Sequence, residues 1–118
     1  MRKKLLIVDD NEAVREATRF AFEAAFDVYD ASGGEEALRQ FDSACPDVVF
    51  LDLELGGIPE GRDILMKIRD KNPDVVILII SGSASAKSDP LMMKADGFFE
   101  KPARLSEIQS LLKKKKLL

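Results

Sequence analysis

The sequence predicts an α/β domain: a doubly wound, five-stranded parallel sheet in the order 2-1-3-4-5, with helices on both faces. Short apolar runs and amphipathic stretches alternate along the whole chain, which is the pattern of a parallel sheet with helical crossovers. Leu5–Val8, Val48–Leu51 and Val75–Ile80 are apolar at every position, as strands covered on both faces are. The length, 118 residues, suits one domain spanning 1–118 and leaves no room for a second.

The elements follow in order. Leu5–Val8 is the first strand, and it runs straight into the acids Asp9 and Asp10. In "NEAVREATRFAFEAAF" the apolar Val14, Ala17, Ala21 and Ala24 recur at steps of three and four, and Asn11 is placed to cap the helix. Phe26–Ala31 mixes polar and apolar residues, as an edge strand would. "GGEEALRQF" opens with Glu35 and Glu36, which suit the positive end of a helix dipole. Val48–Leu51 is the third strand. "RDILMKIRDKNP" puts Ile64, Leu65 and Ile68 on one face and stops at Asn72-Pro73. Val75–Ile80 is the fourth strand and "GFFEK", from Gly97, the fifth. "RLSEIQSLLKKKK" places Leu105, Ile108, Leu111 and Leu112 on one face, and Lys113–Lys116 ends that helix with cations against its dipole. The first, third and fourth strands should be central, the second and fifth peripheral.

Composition excludes several classes. The chain is 46% hydrophobic and 33% charged, which is ordinary for a globular protein. Its longest apolar run is far too short to cross a bilayer, and Arg2, Lys3 and Lys4 are followed by too few apolar residues for a signal peptide. The single cysteine, Cys45, cannot form an internal disulfide, and it reads as a small apolar filler in a reducing cytoplasm. A net charge of −3 argues against nucleic acid as a direct partner. Histidine is absent, which removes the commonest general base and metal ligand together.

The ends of the strands carry the chemistry. In open α/β sheets ligands sit at the carboxyl ends of strands, where the strand order reverses. The first strand ends in Asp9-Asp10, the third in Asp52, the fourth in Ser81 and the fifth in Lys101. With strands one and three adjacent, the acids converge. Two unit charges about 4 Å apart repel by roughly 4 kcal/mol at an effective dielectric near 20. One acid must therefore take up a proton, or a cation must neutralise the group. A hard divalent ion fits, and Mg²⁺ commonly uses one or two carboxylates with waters and a phosphate. An Asp52 carboxylate beside such an ion can attack phosphorus to give an aspartyl phosphate. The Lys101 ammonium and the Ser81 hydroxyl are then further donors for the developing charge.

Taken singly, each residue has an ordinary reading. Asp10 or Asn11 would be a helix cap, Asp52 a polar strand end, Ser81-Gly82 a turn and Lys101-Pro102 a solvated lysine before a breaker. Together, separate strand ends supply what one phosphoryl-accepting site needs.

"LLIVDDNEAVRE", "PDVVFLDLEL", "VVILIISG" and "GFFEKP", in that order and over the whole chain, resemble the motifs of the receiver domain of two-component response regulators. The resemblance implies a flavodoxin-like fold and a cytoplasmic signalling domain rather than an enzyme acting on an external substrate, though one able to assist its own phosphorylation and dephosphorylation. It implies that Asp52 accepts a phosphoryl group from a histidine kinase or phosphotransfer protein. Asp10 would coordinate Mg²⁺ directly, Asp9 largely through water, and the backbone carbonyl of Glu54 would complete the metal set with Asp52. Lys101 would pair with the acids and the phosphoryl group. Ser81 would swing toward the phosphoryl oxygen with Phe98 turning inward beside it, and the Lys101-Pro102 bond would be cis.

The sequence departs from the family pattern in places. Gly56 stands where a proline is usual, Pro59 arrives later, and Gly61 is one residue late, so "ELGGIPEG" is a loop with an insertion. "SGSASAKSDPLMMKADG" is short and implies a brief fourth helix, starting no earlier than Asp89-Pro90 with proline in its first turn. The family's usual output face, helix four to helix five, is left open.

The leading expectation is a stand-alone phosphorylatable switch, monomeric or weakly dimeric, whose altered surface binds a protein partner. The alternative is a pseudo-receiver, a binding module with an idle site, against which stand Asp9, Asp10, Asp52, Ser81 and Lys101. A small Mg²⁺-dependent phosphohydrolase would need a substrate pocket. A flavin carrier would need a glycine- and hydroxyl-rich first loop, and "DDNEAV" is the opposite of an anion site.

Overall fold

The computed structural model of the protein describes residues 2–118. Five parallel strands, β1 (Lys3–Val8), β2 (Phe26–Ala31), β3 (Val48–Asp52), β4 (Val76–Ser81) and β5 (Gly97–Glu100), form one sheet in the order β2-β1-β3-β4-β5. The all-apolar runs are the three central strands, and the two mixed ones are the edges. Four α-helices connect or follow them: α1 (Glu12–Phe22), α2 (Gly34–Ala44), α3 (Gly61–Lys71) and α4 (Leu105–Lys114).

Alternation along the central strands divides the core in two. Leu6, Val8, Val49, Leu51, Ile77 and Ile79 point to one face and pack with Phe41 of α2 and Ile64, Leu65 and Ile68 of α3. Leu5, Ile7, Val48, Phe50 and Leu78 point to the other, with Phe22 of α1 and Ile108 and Leu112 of α4. A one-residue slip of any central strand would exchange the two sets.

Helix ends follow local chemistry. Asn11 caps α1 by accepting from the Val14 N–H at 3.1 Å, as its sequence position predicts. Before α3, the Asp63 carboxylate accepts from the Glu60 N–H at 3.3 Å, and the Asn72 side chain accepts from Asp74 and Val75 where that helix stops. Cys45 is not a buried filler. It is exposed and ends α2 in the left-handed conformation, with φ 51°.

The crossover from β4 to β5 corrects one expectation. No short α-helix forms there. Two 3₁₀ turns, Ala84–Ser88 and Pro90–Lys94, take its place, and the first begins before Asp89. Asp89 precedes proline and is therefore held extended (φ −68°, ψ 127°). That splits the segment into pieces too short to sustain an α-helix. The Asp89 carboxylate caps the second turn through the Leu91 N–H at 2.9 Å and pairs with Arg62 of α3. Arg69 of α3 anchors the far end through the Lys94 carbonyl at 2.9 Å and the Asp96 carboxylate at 3.1 Å. The expected proline in the first turn is present as Pro90.

Candidate functional site

The site lies along the carboxyl edge of the central strands. β1 pairs with β3 in the register Val8↔Leu51, and β3 pairs with β4 in the register Asp52↔Ile80. Those registers set Asp9, Asp52 and Ser81 side by side at the rim. Asp9, Asp10 and Asp52 each offer a carboxylate oxygen within 4.8 Å of the others. Asp9 and Asp52 are both only 4% exposed, whereas Asp10 is open to solvent.

Each group is held from a different side. The Asp9 Oδ1 accepts from the Asn11 N–H at 2.9 Å, and its backbone carbonyl accepts from the Arg15 guanidinium at 2.9 Å. The Asp52 Oδ1 accepts from the Glu54 N–H at 3.0 Å. Lys101 reaches back from the end of β5 and donates to Asp9 Oδ2 at 3.1 Å and Asp52 Oδ2 at 3.2 Å. Its own N–H donates to the Ser81 carbonyl at 2.7 Å, and the Lys101-Pro102 bond is cis as expected. The resemblance did not single out the Ile58-Pro59 bond, which is also cis.

Ionisation is shaped by this packing. Burial pushes the Asp52 carboxyl above the ordinary aspartate value. The Glu54 N–H and the Lys101 charge oppose that without cancelling it, and the neighbouring Asp9 charge adds to it. Burial also disfavours the Lys101 ammonium, but its hydrogen bond to Asp9 and the charge of Asp52 outweigh burial and hold its pKa above the usual lysine value. Three carboxylates against one ammonium leave an anionic site. Oxygen donors of this number and charge fit a hard divalent cation.

Ser81 and Phe98 complete the predicted set. Ser81 is fully buried, and its hydroxyl donates to Glu54 Oε1 at 2.5 Å. Phe98 is half-buried and packs with Leu91, Met92 and Ala95 against the α2/α3 side of the core, while Phe99 joins the other side. From the resemblance Glu54 enters the site through its backbone only, and nothing local in the sequence marks its side chain. Burial opposes ionisation of this carboxyl as well, but the hydrogen bond from Ser81, then the neighbouring Asp52 carboxyl and the nearby N–H groups of Ser83 and Gly82, hold its pKa below the ordinary glutamate value. Arg15 was missed too, and its signal is only its place one turn into α1.

Two glycines explain how the rim is approached so closely. A Cβ on Gly61 would lie 2.4 Å from the Leu53 carbonyl oxygen and 2.9 Å from that of Asp52. A Cβ on Gly34 would lie 2.5 Å from the carbonyl oxygen of Pro59. The inserted loop is thus pinned to α2 at one end and to the end of β3 at the other.

The family model of the response regulator receiver domain matches residues 5–113. This chain is a response regulator receiver domain. Sporulation initiation phosphotransferase F of Bacillus subtilis is 32% identical to it, over 97% of this chain and 94% of that protein. The alkaline phosphatase synthesis transcriptional regulatory protein PhoP of the same organism is 30% identical, over 96% of this chain but only 48% of the relative, so the receiver spans about half of that protein. Among solved structures, the response regulator TrrA of Thermotoga maritima, in complex with Mg²⁺-BeF, superposes with a TM-score of 0.86 at 34% identity, over 98% of this chain and 99% of that one. A receiver domain protein of Methanospirillum hungatei has a TM-score of 0.90 at 24% identity, over 98% and 94% of the two chains, and supports the fold. The receiver domain is a phosphoacceptor signalling domain, and its acidic rim is suited to that role. Among the described residues no helix is long and apolar enough to cross a membrane.

Proposed function

We propose that residues 1–118 act as one cytoplasmic receiver in which Asp52 accepts a phosphoryl group, with Mg²⁺, from a histidine kinase or phosphotransfer protein. The observation that carries this reading is the Lys101 ammonium bonded to both Asp9 and Asp52 at the end of the acceptor strand. An Asp52 oxygen attacks phosphorus in line. A new P–O bond forms as the bond to the donor's leaving atom breaks, and that atom keeps the electron pair. Lys101 balances the charge that builds on the transferring oxygens. The Asn11 and Glu54 N–H groups hold the Asp9 and Asp52 carboxylates, and Arg15 holds the Asp9 backbone carbonyl, so that these two acids stand oriented for transfer. Asp9, Asp10, Asp52 and the Glu54 carbonyl would hold the metal, which when bound neutralises the acids and polarises the phosphoryl oxygens.

The phosphorylated rim then biases a two-state surface through Ser81 and Phe98, and the output is contact with another protein. The same groups serve dephosphorylation, in which a water oxygen attacks phosphorus, the bond from phosphorus to the Asp52 oxygen breaks, the carboxylate keeps the electron pair, and inorganic phosphate leaves. The test is labelling by acetyl phosphate with Mg²⁺, read by intact mass. The parent gains one phosphoryl group and Asp52→Asn gains none. Failure of the parent to label would favour the pseudo-receiver, a binding module with an idle site. Equal labelling of the variant would remove Asp52 as the acceptor.

A further inference from the structure

The Ser81 hydroxyl is already engaged. Its one proton goes to Glu54 Oε1 at 2.5 Å, and its lone pair accepts from the Ser83 N–H at 3.1 Å. A hydroxyl bonded in this way has no proton left for a group on Asp52. Glu54 is tied to the acceptor as well, since its N–H donates to Asp52 Oδ1 at 3.0 Å. The result is a short relay from the acceptor carboxylate, through the backbone of Glu54 and its side chain, to Ser81. The Glu54 Oε1 also lies against the chain just past β4, 3.6 Å from where a Cβ on Gly82 would sit. A carboxylate held there presents anionic oxygen acceptors, as a phosphoryl group does, though with less charge. Glu54 is an exposed residue, so it can leave toward solvent without disturbing the core.

We propose that the Glu54 side chain is an internal stand-in for the phosphoryl group, a positioning residue that occupies Ser81 and thereby slows phosphorylation of Asp52. The proposal rests on the phosphoacceptor reading of Asp52. During transfer the Ser81 O–H must move from Glu54 to a phosphoryl oxygen. The glutamate must swing out, giving up a charge-assisted hydrogen bond that then has to be remade with water. The incoming donor is an anion, so the negative carboxylate at the rim also opposes its approach.

The test combines rates with a coupling measurement. Acetyl phosphate labelling with Mg²⁺ is followed by intact mass for the parent, Glu54→Gln and Glu54→Ala, each with and without Ser81→Ala. Glu54→Ala should label about tenfold faster, equivalent to roughly 1.4 kcal/mol in the barrier. Glu54→Gln should fall between, because its amide oxygen still accepts but carries no charge. In the Ser81→Ala background most of the gain should vanish, which general relief of charge at the rim would not produce. In the unlabelled protein, Glu54→Gln should shift the amide resonances of Gly82 and Ser83 and leave those of β1 in place. An equal gain in both backgrounds, no gain at all, or unmoved Gly82 and Ser83 amides would overturn the proposal. A parent that labels normally beside an unaccelerated Glu54→Ala sinks only this inference, whereas a parent that never labels sinks it together with the phosphoacceptor reading.

Discussion

The ammonium of Lys101 lies 3.2 Å from the Oδ2 of Asp52, although 49 residues separate them in the chain. The same nitrogen lies 3.1 Å from Asp9, so one cation spans two nearly buried carboxylates. Lys101→Ala leaves those acids without their partner. Stability should fall by about 1–3 kcal/mol, below the usual cost of breaking a fully buried pair because the lysine side chain keeps 30% exposure. Urea unfolding in the presence of EDTA measures this, and labelling by acetyl phosphate should slow in parallel.

A divalent cation should reverse part of the strain among the acids. At ten times its dissociation constant, Mg²⁺ is expected to raise the unfolding free energy by about 1.4 kcal/mol. A thermal-shift titration reads the effect directly. A melting curve indifferent to the ion would remove the metal site.

The raised pKa of Asp52 fixes the sign of a pH effect. For a carboxyl raised on folding, the stability it contributes is fully present below its unfolded value and is lost as pH rises through its folded value. At neutral pH in EDTA, ionised Asp52 therefore costs stability, and Asp52→Asn should be more stable than the parent. That advantage should shrink as the pH drops toward the ordinary aspartate range, where both side chains are neutral. Lys101 runs the other way in charge. Its raised pKa gives stability that persists through neutral pH and is lost only as pH climbs through its folded value, above the usual lysine range. Paired melts of parent and Asp52→Asn across this range test the sign, and an Asn variant less stable at neutral pH would contradict it.

Gly61→Ala tests the approach of α3 to the end of β3. The added methyl would meet the carbonyl oxygens of Leu53 and Asp52. Moving that backbone should cost about 1–3 kcal/mol and shift the amide resonance of Glu54, whose N–H is bonded to Asp52. A neutral substitution with unchanged spectra would show that α3 gives way instead.

Much of this was legible from residues alone. Leu5–Val8, Val48–Leu51 and Val75–Ile80 could only be central strands, because nothing polar interrupts them, and their ends named Asp9, Asp52 and Ser81. Lys101 followed in the same way from "FFEKP". The β4–β5 crossover was misjudged because its conformation depends on Asp89, held extended before Pro90 and pinned by Arg62, a contact between distant segments. The Glu54 side chain was passed over for a similar reason. Its reach to Ser81 depends on Asp52 pairing with Ile80 across two strands, and a glutamate in a loop gives no local sign of that.

The inserted loop has a consequence for engineering. Pro59 abuts Gly34, and Gly61 abuts the backbone of Asp52 and Leu53, while a Cβ on Gly56 or Gly57 would meet nothing within 4 Å and Ile58 is 89% exposed. Both footholds lie outside the tip, so the tip is a natural splice point. An epitope or fluorescent reporter peptide inserted between Gly56 and Gly57 would ride beside Asp52 without altering the framework that holds it.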